Sequence, residues 1–277
     1  MKFVSGIVLL SLALAAPLSA AEGGGISELF VAPTVFSYTW KETGTFGEQL
    51  LKENGPLFGV TSGIRTNLFR GKSGQTLTLS GKLDIYGGVV TYDGHTQLPS
   101  SLPVSTDVGY FGTRIGCDAG WGFPVNGSTV GPFAGFDYRF WMRDLHATTT
   151  FNGNGNLVSV GGSTEYWQDV GTRLGFRWYD IRIADEWRLF AEGGVAYSLY
   201  AGNTVDLYGF GNVTLEPEGE WTPFAEAGVR YKRLRLAVSF EELRYRQSPS
   251  VLVGPYFVYQ PASTGEYLGF SVGYCFW

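Results

Sequence analysis

Gly265-Glu266-Tyr267-Leu268-Gly269-Phe270-Ser271-Val272-Gly273-Tyr274-Cys275-Phe276-Trp277 closes the chain. In an extended strand Leu268, Phe270, Val272, Tyr274 and Phe276 share one face, and Tyr267, Gly269, Ser271, Gly273 and Cys275 share the other. Strict period-two alternation between a large apolar face and a small one is the mark of a β-strand, because successive side chains point to opposite sides. A helix does not produce it.

The same period recurs upstream. Ten alternating segments are predicted as strands, at about 29–41, 56–69, 75–92, 105–121, 129–143, 165–179, 186–200, 220–231, 233–243 and 265–277. The third shows the pattern: Leu77, Leu79, Leu83, Ile85 and Val89 face out, while Thr78, Ser80, Lys82, Asp84 and Tyr86 face in. The connections alternate in length. Those near 71–74, 124–128, 180–185 and 232 are short. Those at 44–55, 93–104, 145–163, 201–219 and 245–264 are long. Short periplasmic turns alternating with long extracellular loops, and an even strand number, are what membrane barrels show. Residues 251–259 are apolar, but Gly254-Pro255 in their middle argues against a spanning strand, so they are assigned to the last extracellular loop. Residues 203–215 alternate weakly and read as a hairpin above the membrane. Twelve strands is the alternative if both segments join the barrel.

The outward aromatics sort into two belts. Trp121, Phe176, Trp178, Trp187, Tyr231, Tyr274 and Phe276 fall at periplasmic ends. Trp40, Phe58, Phe111, Phe140, Tyr166 and Trp221 fall at extracellular ends. Tyr and Trp favour the headgroup level because they are apolar with a polar tip. Aromatics make up 16% of the chain and there are 40 glycines, both high for a globular domain.

A terminal strand that is apolar on one side, small on the other and aromatic at its end resembles the closing strand of bacterial outer-membrane β-barrels. The usual strand of that class ends on an outward aromatic; here Phe276 takes that place and Trp277 lies one beyond. The resemblance covers the mature chain at the level of the class. It implies an all-β, transmembrane antiparallel up-and-down barrel of about ten strands in the outer membrane of a Gram-negative bacterium, with both termini periplasmic. Its implied partners are outer-membrane lipid and, through the C-terminal strand, the barrel-assembly machinery.

The N-terminus agrees with export. Lys2 is followed by an apolar run over 4–16 and a small-residue site ending at Ala20-Ala21. The run is too short to span a membrane as a helix and reads as a signal peptide over 1–21, leaving 22–277 as the barrel. The net charge of −5 includes no basic block, so nucleic acid is not an expected partner. The two cysteines, Cys117 and Cys275, lie on strands that are not neighbours and are expected to be free thiols.

The richest polar cluster is inward. Lys82, Asp84, Arg114, Asp118, Asp137, Arg139, Asp169, Arg173, Arg177, Arg188, Glu192, Glu226, Arg230, Arg235 and Glu241 take lumen positions, with signs interleaved along and across neighbouring strands. In a narrow barrel such charges must be paired or wetted. They therefore read first as a salt-bridged packing of the lumen and second as the lining of a narrow pore. Ten strands lie near the size at which side chains nearly fill the interior, which argues against a general porin.

Signals for catalysis are sparse. The two histidines, His95 and His146, each follow an aspartate by two residues, Asp93 and Asp144, and an Asp that orients a His can serve general-base work. Asp144-Leu145-His146 resembles the Asp-x-His half of the omptin proteases, which are ten-stranded outer-membrane barrels; the Asp-x-Asp half has no counterpart in this sequence. Parity places Asp144 and His146 on the outer side of the fifth strand. Ser105 and Ser163 sit in no nucleophile motif, and no metal-ligand spacing occurs, so neither a catalytic residue nor a cofactor is assigned. Three readings follow: a non-enzymatic barrel with surface-interaction loops, a narrow channel for small solutes, and a loop-sited hydrolase. The extracellular ligand is left open.

Overall fold

The computed structural model describes residues 25–95, 101–207 and 211–276. The segment read as a signal peptide and Trp277 lie outside them. Ten long strands wind up and down: β1 (Gly25–Thr43), β2 (Gln49–Arg70), β3 (Thr76–His95), β4 (Pro103–Val125), β5 (Ser128–Leu145), β8 (Ser163–Arg182), β9 (Trp187–Leu207), β11 (Trp221–Tyr231), β12 (Leu234–Tyr245) and β15 (Ala262–Cys275). Each pairs antiparallel with its neighbour, and β15 closes the ring against β1, with Phe30 opposite Cys275 and Thr43 opposite Ala262. The barrel is therefore closed at ten strands, and the start of β1 and the end of β15 share one end.

Five short strands decorate the other end. β6 (Thr148–Phe151) pairs with β7 (Leu157–Val160), β13 (Val251–Val253) pairs with β14 (Tyr256–Val258), and β10 (Gly211–Leu215) folds back on the end of β9. Segments 251–259 and 203–215 are thus extracellular hairpins, and the twelve-strand alternative does not arise. Gly254 turns the first of them at φ 58°. At the opposite end the β4–β5 connection is a two-residue turn whose central Asn126 and Gly127 both have positive φ, 47° and 80°. Those are the residue types such a turn requires.

The strands outrun the sequence reading on the extracellular side. A β-strand crosses a membrane in roughly 9–11 residues. β4 has 23 and β2 has 22, whereas β11 and β12 have 11 and 12. The predicted loop over 44–55 is in fact the tip of an extended hairpin, with a turn at 44–48 and residues 49–55 in β2. The wall is tall from β1 to β9 and low at β11 and β12.

The outer face carries the apolar side chains. Phe136, Phe176, Leu174, Ile115, Val60 and Phe270 are exposed, alternating with buried or half-buried inward neighbours. On β1 the outward apolar run ends at Val35; Ser37, Thr39 and Lys41 follow, and Asn54 and Lys52 do so on β2. The upper parts of these strands therefore stand beyond the hydrocarbon. One belt residue was misassigned: Trp40 points inward and is fully buried, in line with Phe36 and Tyr38. Both cysteines are free, Cys117 on the outer face and Cys275 buried at the seam.

Candidate functional site

The interior is built in layers. Nearest the periplasm, Glu28 accepts from Arg65 at 3.0 Å and from Arg235 at 3.4 Å, and the Arg65 guanidinium lies 3.2 Å from the centre of the Tyr179 ring. Above it, Arg177 bonds Asp118 at 2.5 Å and approaches Glu192 at 3.7 Å, while covering Phe133. Lys82 bonds Glu226 at 2.6 Å, and Glu226 also accepts from Arg235. At mid-height Glu241 accepts from Arg114 at 2.6 Å and Arg139 at 2.5 Å, and both arginines also reach Asp137. Asp84 accepts from Thr61 at 2.7 Å, and Asp169 from Tyr245 at 2.5 Å.

Some of these partners sit on adjacent strands, such as Arg65 with Glu28 and Arg177 with Glu192, but others do not. In the ring β1-β2-β3-β4-β5-β8-β9-β11-β12-β15, Lys82 on β3 and Glu226 on β11 are five strands apart, as are Arg114 on β4 and Glu241 on β12. Both bridges cross the full width of the barrel. Neighbouring positions in the sheet carry opposite charge in places, as at Arg139 with Asp169, and like charge in others. Arg114 is in register with Arg139, and Glu192 with Glu226. Like charges side by side repel; Glu241 on the facing wall serves both arginines, while the glutamates are met by Lys82 across the barrel and by Arg235 and Arg177 on adjacent strands.

Some members of the inward set stand apart. Arg173 makes no ion pair among the described residues and rests 3.7 Å over the Phe224 ring. Arg230 sits at the periplasmic rim with Asp180 at 2.9 Å. Arg188 is in register with Arg182 and Arg230 there and has no ion pair among the described residues. The described cavities among these layers are about 50 and 60 Å³, room for a few waters each.

Above the ion pairs lies an aromatic layer absent from the sequence reading. Trp141 and Trp167 stack at 5.1 Å with rings 9° apart, and Trp40 meets Trp167 edge-on at 5.3 Å. Tyr38, Tyr86, Tyr110, Tyr245 and Tyr267 complete it, all buried. On top of it Arg143 gathers three carboxylates: Glu53 and Glu165 at 2.5 Å and Glu42 at 3.4 Å. Tyr110 donates to Glu53, and Tyr38 donates to Tyr110 at 3.1 Å. Glu42 and Glu53 escaped the sequence reading because their segments were cut short. The signal was available, since Glu42 keeps the parity of Tyr38 and Trp40.

Beyond Arg143 the lumen opens into an extracellular vestibule of about 290 Å³. Glu42, Arg143 and Glu165 line it below. Leu51, Val104, Val160 and Leu215 line it at the sides, and residues 258–261 lean over it from the low side of the wall. His95, His146 and Ser163 border it as well. Among the described residues neither histidine bonds a carboxylate or a serine. Asp144 instead accepts from Thr164 at 2.9 Å, and Asp93 from Ser105 at 2.9 Å. The Asp-x-His resemblance therefore has no formed dyad behind it. Among the described residues no group of His, Cys, Asp or Glu is placed to hold a metal ion.

No protein-family model matches the sequence, and no curated protein matches it. Solved structures do match in shape. The outer membrane protease OmpT of Escherichia coli aligns over 93% of this chain and 99% of its own, with 9% identity and a TM-score of 0.55. A closed ten-stranded ring with an apolar exterior and that overall shape leave one class. The protein is a bacterial outer-membrane β-barrel. Looser matches include a major outer membrane protein of Thermus thermophilus (90% of this chain, 100% of its own, 13% identity, TM-score 0.40). Another is the translocator domain of the autotransporter NalP of Neisseria meningitidis (98% and 95%, 13% identity, TM-score 0.36). At 9% identity the likeness to OmpT extends to this barrel's fold and not to its chemistry.

Proposed function

We propose that this barrel is a non-enzymatic, non-conducting outer-membrane protein whose salt-bridged lumen is a plug and whose extracellular loops and vestibule carry a surface interaction. The observation that carries this reading is the pair of bridges across the full barrel width, Lys82–Glu226 and Arg114–Glu241. Charges that reach across the lumen to one another occupy the space a solute would use, and separating them inside protein is costly. The small lumen cavities and the aromatic layer support the same reading. Assembly through the C-terminal strand fits it too, since exposed Phe276 directly follows β15.

Planar-bilayer recording of the refolded protein tests it, with Arg139→Gln and Arg173→Gln variants alongside. The wild type is expected to be silent. Discrete wild-type steps whose size or ion preference changes in the variants would establish a charge-lined channel instead.

A further inference from the structure

The floor of the vestibule has an uneven use of its carboxylate oxygens. Glu42 Oε1 accepts from Trp40 Nε1 at 3.0 Å, Gln260 Nε2 at 3.1 Å and Arg143 at 3.4 Å. Glu165 Oε2 accepts from Arg143 at 2.5 Å, Asn203 Nδ2 at 3.1 Å and Trp167 Nε1 at 3.2 Å. One oxygen of each is thus saturated with three donors. The other, Glu42 Oε2 or Glu165 Oε1, takes no hydrogen bond from any described residue. Glu42 is 3% exposed, yet it lines the cavity. An acceptor with no protein donor that borders open space is left to water or to a ligand that donates.

The charge count gives the sign of that donor. Glu42, Glu53 and Glu165 share Arg143 as their one cation. Three carboxylates against one guanidinium leave the node short of positive charge. The field around the mouth has the same sign. Besides Arg143, the basic residues of the extracellular strand ends and loops are Lys41, Lys52, Arg244 and Arg246, and they are outnumbered by acids such as Asp93, Asp107 and Glu216. An acidic mouth concentrates cations. The side walls are apolar, formed by Leu51, Val104, Val160 and Leu215. At about 290 Å³ the space lies at the small end of ordinary ligand pockets, which begin near roughly 300 Å³.

We propose that the vestibule binds an organic cation, a primary ammonium on a short apolar body. The free oxygens of Glu42 and Glu165 accept from the ammonium, and the aliphatic walls cover its tail. This deepens the proposed surface-interaction role and rests on it. A bare metal ion would leave the apolar walls unused, and a carboxylate ligand would be repelled.

Protonation supports the assignment. Glu42 stands in the part of β1 beyond the hydrocarbon. Burial pushes its carboxyl up to about 7, Glu165 and Glu53 add to the rise, and Arg143 and the Trp40 indole oppose it. Tyr92 and Gln260 also border the same space, as does His95. An ammonium that displaces this proton binds more tightly as pH rises through 7.

The test is calorimetric titration of the folded, detergent-solubilised full chain with hexylammonium chloride, 1-hexanol and sodium hexanoate as probes. Saturable binding of hexylammonium alone is expected, weakened at least tenfold in both Glu42→Gln and Glu165→Gln, with wild-type proton release near pH 7. The two variants are independent, and the heat-dependent gel shift of a barrel checks that each is folded. Equal binding of hexanol, binding unchanged in both variants, or no binding by the folded wild type overturns the proposal. Wild-type bilayer conductance would instead strike the plugged-barrel reading, so the two failures are separable.

Discussion

Glu241→Ala is the most informative perturbation of the lumen. Glu241 is the shared acceptor of Arg114 and Arg139, at 2.6 and 2.5 Å, and the guanidinium side chains are only 8% and 4% exposed. At an effective dielectric constant near 20, each contact is worth roughly 6 kcal/mol of gross attraction. Desolvation of the charges offsets most of that, so the intact network adds little net stability. Removing the shared carboxylate is different. Arg114 and Arg139 stay buried and in register, and Asp137 alone must serve both. Breaking a buried pair from one side costs about 3–5 kcal/mol. Urea unfolding of the refolded barrel in lipid vesicles, followed by tryptophan fluorescence, should therefore show a loss of that size. Adding Arg114→Met should recover part of it, because Asp137 then serves Arg139 alone. Glu220→Ala, which removes the half-buried partner of exposed Arg246 at 2.7 Å, is the control and should leave the transition nearly where it was. If Glu241→Ala costs no more than that control, the lumen is wet, water screens its charges, and the plug reading is wrong.

Two further outcomes are expected. Ile85 lies on the outer face of β3, alternating with buried Asp84 and Tyr86, so Ile85→Arg should reduce stability in vesicles by about 2–4 kcal/mol near the midplane; a neutral effect would mean that this face does not meet lipid. Glu42 holds its proton more firmly in the fold than its ordinary value near 4.5 allows, so the native state binds more protons than the unfolded chain between about pH 4.5 and 7. Its contribution is fully present below that window and falls as pH rises through 7, by on the order of 3 kcal/mol, and Glu42→Gln should flatten this part of the unfolding-midpoint profile.

The class, the strand count and the faces are written locally along the chain. Period two is a local property, and each strand carries its own record of which side is apolar, as 265–277 and 75–92 do. Loop lengths then give the ends, because short turns need residues such as Asn126-Gly127. Strand limits above the membrane were not legible. Once no lipid demands an apolar outer face, as at Ser37, Thr39 and Lys41, the alternation weakens and strand resembles loop. Glu42 and Glu53 were lost with those limits, and Trp40 was sent to the wrong face. Parity also placed the inward charges without saying whom they meet. That depends on which strands stand opposite across the closed ring, so Lys82 finds Glu226 and Arg114 finds Glu241 at sequence separations of 144 and 127 residues. Only closure of the barrel brings those side chains together, because a local pattern fixes the direction of a side chain and not what lies at the end of it.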